Sequence, residues 1–165
     1  METFRLENYI LRAESAFEKN EYLEGMNFSE NALGIEPTYA KAHNHMGWFY
    51  LYPLEDWSKA EKHLKLALKY DANYGWAYTH MAHILFENAR FDEFTELLQK
   101  ALNVGSVAKS FVFNEFGRMN EVSAKFKRAI SDYKEAIKWC LDDRELNIIK
   151  DNIRRTRRKR WDLMF

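Results

Sequence analysis

The chain has 165 residues, with 25 basic and 25 acidic side chains that leave no net charge at pH 7. A hydrophobic share of 47% and a charged share of 30% exclude a disordered chain, and a domain of this length buries about 70% of its unfolded surface without staples. Cys140 is the only cysteine, which excludes an internal disulfide framework and a cysteine-rich zinc site, while no apolar run approaches the ~20 residues of a membrane span.

In chain order the apolar spacing predicts helices throughout. Leu6, Ile10, Ala13 and Phe17 predict a helix near residues 4–19, and a second is expected near 22–34. Pro37 with Thr38 is expected to open a third near 38–51, and Asp56 to cap a fourth near 56–69, in which Leu64, Ala67 and Leu68 follow helical spacing. Met81 and Leu85 fall in a fifth near 74–88, followed by a sixth near 92–103. Gly105 and Ser106 read as a stop and start pair before a seventh near 107–119, and Ile130, Tyr133 and Ile137 mark an eighth near 123–140. Asp142 or Asp143 is expected to cap a ninth, whose Leu146, Ile149 and Ile153 would cover the end of the array. No Gly-, Ser- or Pro-rich run offers a linker, so residues 1–165 are expected to form one domain. The opening residues lack the basic start and apolar run of a secretory signal, and cytoplasmic location is expected.

These elements repeat. Ala32, Ala67, Ala101 and Ala136 recur 35, 34 and 35 residues apart, and other positions share their register. His43, Met46, Gly47, Tyr50, Ala60, Leu64 and Ala67 align with Tyr78, Met81, Ala82, Leu85, Phe94, Leu98 and Ala101, and with Phe113, Phe116, Gly117, Asn120, Ala129, Tyr133 and Ala136. Tyr9, Arg12, Ala13, Ala16, Gly25, Ser29 and Ala32 form a looser first copy. Small residues at Gly47, Ala82 and Gly117 are expected to face the partner helix, near Ala60, Phe94 and Ala129, where a large side chain would overpack the crossing. A period of about 34 residues belongs to helix-turn-helix units that bury their apolar faces by stacking on their neighbours.

With this pattern of large, small and aromatic positions, the chain resembles the tetratricopeptide repeat (TPR) family across nearly its whole length. It departs from that pattern in lacking the leading tryptophan, in keeping only Pro37 of four expected prolines, and in one extra residue in the Leu51–Asp56 turn. The resemblance implies an all-α, right-handed α-solenoid of four TPR-like repeats, at about 6–37, 40–72, 75–106 and 110–141, with a capping helix and basic tail over about 143–165.

It also implies a non-catalytic adaptor whose concave helices hold a peptide or an amphipathic helix of another protein. Carried over by position, the groove residues are Lys41, Asn44, Trp48, Leu51 and Tyr52 in the second repeat, and Trp76, Thr79, His83, Phe86 and Glu87 in the third. Phe111, Asn114, Arg118 and Glu121 follow in the fourth. Exposed Trp and Tyr at such spacing are typical recognition anchors, although the same stripe also suits packing between adjacent helices. The first repeat presents Glu7, Ile10 and Glu14 at the corresponding places, which argues against an acidic chaperone tail as the ligand.

The neutral total hides an asymmetry. Residues 1–36 hold eight glutamates against three basic residues, whereas Arg154, Arg155, Arg157, Arg158, Lys159 and Arg160 stand close together near the end, opposed by Asp162 alone. Such crowding disfavours a helix unless a partner neutralises it. Nucleic acid, an anionic membrane or the acidic first repeat of another copy would serve, as would a simple solvated tail. Trp161, Leu163, Met164 and Phe165 add apolar surface for a membrane or a hydrophobic partner. His80, His83 and Glu87, with His43 and His45 on the preceding inner helix, have metal-ligand spacing, but packing and groove roles account for them better, and no metal or other cofactor is expected. No phosphate loop, nucleophile elbow or paired-carboxylate motif points to an enzyme.

Overall fold

The computed structural model describes residues 2–163. The described residues form nine α-helices and no strands: α1 (Glu2–Glu18), α2 (Tyr22–Ile35), α3 (Ala40–Leu51), α4 (Trp57–Tyr70), α5 (Gly75–Glu87), α6 (Phe91–Ala101), α7 (Lys109–Val122), α8 (Phe126–Trp139) and α9 (Asp143–Asp162). They group into two compact units, Met1–Ile84 and Leu85–Phe165. Among the described residues no helix is long and apolar enough to cross a membrane.

In the first unit α1 packs on α2 and α3 on α4, and α2 joins the pairs by packing on α3. Ile10, Ala32 and Ala42 centre one apolar cluster, with Leu6, Tyr9, Leu33 and Tyr39 around it. Arg12, at a position apolar in the other repeats, is exposed, and its guanidinium lies 4.1 Å from the centre of the Phe28 ring. His43, at a large packing position, is buried; its Nε2 lies 3.0 Å from the Pro37 carbonyl and its Nδ1 3.1 Å from Nδ1 of His63. In the second unit α7 packs on α8, and α9 packs on α8 while bonding to α7 through Asn152 and Arg155. Ile149 and Ile153 of α9 cover Ala129, Tyr133 and Ala136 of α8, so the ninth helix shields the last repeat as expected.

The small residues hold the helix pairs together. The four register alanines, Ala32, Ala67, Ala101 and Ala136, are each fully buried. A Cβ added to Gly47 would stand 2.7 Å from Leu64, and one added to Gly117 would stand 2.5 Å from the Tyr133 ring, both closer than real Cβ contacts. The facing residues at these crossings are thus large, rather than only the small ones the alignment suggested. Each large side chain fills the room that its glycine leaves.

The turn inside each repeat is equally regular. Asn20, Glu55, Ala89 and Ala124 have positive φ, and they recur at the same 35, 34 and 35 residue intervals as the alanines. In three of the four turns the next residue donates its backbone N–H five residues back, from Glu21 to Ala16, Arg90 to Leu85 and Lys125 to Asn120. This is the left-handed C-terminal cap of a helix, built here without glycine. The extra residue of the second repeat widens that bond by one, from Asp56 to the Tyr50 carbonyl.

These caps explain where the helices depart from the sequence expectation. The seventh runs on to Val122 and the eighth starts only at Phe126, because the reversal occurs at Ala124. The third begins at Ala40 instead of residue 38, since the Thr38 N–H and hydroxyl both donate to the Glu36 carboxylate and hold Pro37 and Thr38 in a turn. The sixth ends at Ala101 and the seventh opens at Lys109, so Gly105 and Ser106 lie inside the connection. Asp56 and Asp142 cap α4 and α9 as expected, accepting from the N–H groups of Lys59 at 3.0 Å and Glu145 at 2.8 Å.

Two sets of substitutions test this account by urea unfolding. Gly117→Ala is expected to destabilise by about 1–2 kcal/mol, because overpacking against Tyr133 outweighs the ~1 kcal/mol gain in helix propensity. Gly34→Ala, with open space around it, should instead stabilise slightly. At the turns, Ala89→Gly and Ala124→Gly should each add up to about 1 kcal/mol, since the left-handed conformation penalises an L side chain.

Candidate functional site

Within the first unit, α1, α3 and the start of α5 border an open cavity of about 320 Å³ lined by Glu14, Phe17, Asn44, His45, Trp48, Tyr74, Trp76 and His80. Three expected groove residues, Asn44, Trp48 and Trp76, therefore meet at one place. Trp76 is 65% exposed and stacks on His80, with ring centres 6.3 Å apart. Trp48 is half-buried and packs between Phe17 at 5.1 Å, Tyr22 at 5.7 Å and Tyr52 at 5.8 Å, so this part of the stripe is both wall and core.

Two polar atoms of the lining stand out. Asn44 Oδ1 and His80 Nδ1 are buried and make no hydrogen bond. An unsatisfied buried group of this kind typically costs about 1–3 kcal/mol. Burial, with smaller contributions from His83 and His45, lowers the His80 pKa to about 4, and burial likewise lowers that of His45 to about 4. Both imidazoles are neutral at pH 7. Burial, then Glu14, Tyr39 and Asp71, raises the Tyr74 phenol to about 12, so it keeps its proton.

The remaining first-unit residues surround the cavity. Lys41 pairs with Glu14 at 2.7 Å. Tyr52 is exposed and contacts the rings of His80 and His83 at 5.8 and 5.7 Å. Thr79 hydrogen-bonds back to the Gly75 carbonyl at 3.5 Å, and Leu51, expected to face the groove, is buried. His45 approaches Ser29 at 3.4 Å and Glu14 at 3.9 Å. Among the described residues no group of three or more His, Cys, Asp or Glu side chains is placed to hold a metal.

In the second unit the half-buried Arg118 lies 4.2 Å from the Phe86 ring centre and pairs with Glu115 at 2.8 Å and with Glu87 at 4.0 Å. Phe111 is half-buried. Asn114 accepts a 3.0 Å hydrogen bond from Asn152 of α9, so its carboxamide oxygen is engaged within the chain.

Comparison with solved structures supplies the fold family. Over 98% of its length the chain superposes on Pseudomonas aeruginosa PilF, at 19% identity and a TM-score of 0.76, covering 76% of that chain. It covers 74% of YrrB, described as a TPR protein with an unusual peptide-binding site, at 19% identity, 90% of this chain and a TM-score of 0.69. This is a tetratricopeptide-like repeat fold. Human IFIT1, solved as a dimer with m7Gppp-AAAA, matches 92% of this chain at 22% identity and a TM-score of 0.74, the chain spanning 39% of its length. No protein-family model matches the sequence.

In this tetratricopeptide-like fold the fourth repeat departs at one place. Four residues after the small crossing position, the repeats carry Phe17, Leu51, Phe86 and then Glu121. Glu121, expected on the groove, is 4% exposed. Its carboxylate accepts from Arg155 Nε at 2.8 Å and Nη2 at 2.7 Å, from Lys159 Nζ at 2.8 Å, and from the Tyr133 hydroxyl at 2.8 Å. Burial pushes its pKa up, but the bonds from Arg155, Lys159 and Tyr133 outweigh burial and bring it to about 2. A carboxylate in an otherwise apolar register position was the sequence signal for this site.

The charge of the basic helix is thus partly matched from within. Two of its six cations bind Glu121, Arg154 pairs with Asp151, and Arg158 lies 3.7 Å from Asp162, so α9 stays helical to Asp162. Arg157 is exposed, and Arg160 lines a concavity of about 470 Å³ with Lys125, Phe126, Lys127, Arg128 and Leu163. Trp161 and Leu163 are exposed, while Met164 and Phe165 lie outside the described residues.

Because the folded Glu121 pKa is depressed, its stabilisation is full above about pH 5 and is lost as pH falls through about 2. A shift from 4.5 to about 2 corresponds to roughly 3 kcal/mol. Urea unfolding at successive pH values should show this loss between pH 5 and 2, and Glu121→Gln should flatten that segment while lowering stability at pH 7. An unchanged acid limb in the variant would remove Glu121 from this role.

Proposed function

We propose that the chain is a non-catalytic interaction module that binds a segment of another protein, a peptide or an amphipathic helix, at the first-unit cavity. One observation carries this reading: two buried polar atoms without partners, on Asn44 and His80, line a cavity beside an exposed tryptophan. Folding alone gains nothing from leaving those atoms unpaired, whereas a ligand backbone or side chain that bonds to them recovers the cost. Trp76 offers the large, rigid contact area typical of recognition hot spots.

The fold supports the same reading by analogy, since YrrB is described with a peptide-binding site on a similar arrangement of helices. Fold likeness at this identity does not choose the ligand; the residues of this cavity do. Arg155 and Lys159 are committed to Glu121, and this favours the cavity over the basic helix as the binding site.

Binding of the intact chain to an array of twelve-residue peptides of basic, acidic and apolar amphipathic composition tests the proposal. Trp76→Ala should weaken the best binder at least tenfold with no change in helicity, as expected for removal of an exposed anchor. Asn44→Leu should leave stability equal or raise it while weakening binding, because it removes an orphaned polar group rather than a structural bond. Failure of every peptide class to bind, or binding indifferent to both substitutions, would overturn the assignment.

A further inference from the structure

We infer that the first-unit cavity takes a cationic side chain, arginine or lysine, of its protein partner. The inference rests on the peptide-binding reading above and specifies its chemistry. Phe17, Trp48, Tyr74 and Trp76 supply four aromatic rings to a lining that also contains one carboxylate, Glu14. Aromatic faces attract a cation through their quadrupole, most strongly when water is displaced, and Trp is the best of them. Asn44 Oδ1 is a buried acceptor without a donor, and ammonium and guanidinium groups are donors only. The neutral His45 and His80 place no positive charge in the cavity at pH 7.

The first two helices carry the matching charge. Residues 1–36, which form α1 and α2, carry eight glutamates against three basic residues, and Glu7, Glu18 and Glu21 are exposed. Such a surface draws basic segments and repels acidic ones. Lys41 pairs with Glu14 at 2.7 Å, and both side chains are about one third exposed. An incoming cation therefore competes with Lys41 for the same carboxylate. For a cation, loss of Glu14 must weaken binding and loss of Lys41 must strengthen it; an anionic ligand reverses both signs, and an apolar ligand requires neither.

Three peptides of one host sequence, Ac-Gly-Ser-Leu-Xaa-Leu-Ser-Gly-NH2, separate the possibilities, with arginine, the neutral isostere citrulline, or glutamate at Xaa. Each is titrated into the full chain and followed by tryptophan fluorescence. The arginine peptide is expected to bind at least tenfold more tightly than the other two. Glu14→Gln should reduce that preference at least threefold, and Lys41→Gln should increase it; helicity and thermal midpoint verify that both variants are folded. Equal affinity for arginine and citrulline, preference for glutamate, or tightening by Glu14→Gln overturns the cation inference. If the tighter peptide in such a case still loses affinity with Trp76→Ala, the peptide-binding reading survives. No binding by any of the three, together with silence of the peptide array, removes both.

Discussion

Every repeat depends on the close approach of its two helices, which a small residue at the crossing permits. Gly47 admits Leu64, and Gly117 admits the ring of Tyr133. The buried alanines continue the same contact on the second helix of each repeat. Burial of apolar surface favours the pairing in general, but the small residues decide the distance and hence which side chains interlock. The left-handed caps at Asn20, Glu55, Ala89 and Ala124 then set where the chain reverses, so crossing and reversal share one period.

From Gly117 the constraint extends to the electrostatics of the second unit. The Tyr133 ring that fills the glycine's space donates its hydroxyl to Glu121, whose carboxylate also receives Arg155 and Lys159 of the last helix. A buried carboxylate costs much to desolvate unless it is fully bonded, and four donors meet that requirement here. The same bonds relieve the repulsion among the cations of α9. Its charge is thus partly an internal matter, although the sequence presents it as surplus.

The first-unit cavity has the opposite character. Glu121 is buried and fully bonded, whereas Asn44 Oδ1 and His80 Nδ1 are buried and unbonded. A fold tolerates such groups where they serve something other than stability, which is why we propose this cavity rather than the basic helix as the place of recognition. The aromatic stripe is divided: Trp48 is wedged among rings, and Trp76 stands in the open.

The helical class, the nine elements and the repeat register follow from residue spacing alone, because helical amphipathicity and a fixed period are local properties of the chain. So do the caps at Asp56 and Asp142, where a side chain bonds its own backbone three residues on. The ends of α7 and α8 were less legible, since Ala124 adopts a conformation that its residue type does not advertise. The fates of Asn44, Asn114 and Glu121 were not legible either: all three read as polar groove residues, yet one is orphaned beside a cavity, one is bonded to α9 and one anchors two cations. Only tertiary structure separates these outcomes, because whether a polar group is satisfied depends on neighbours brought from 12 to 38 residues away by the packing of helices.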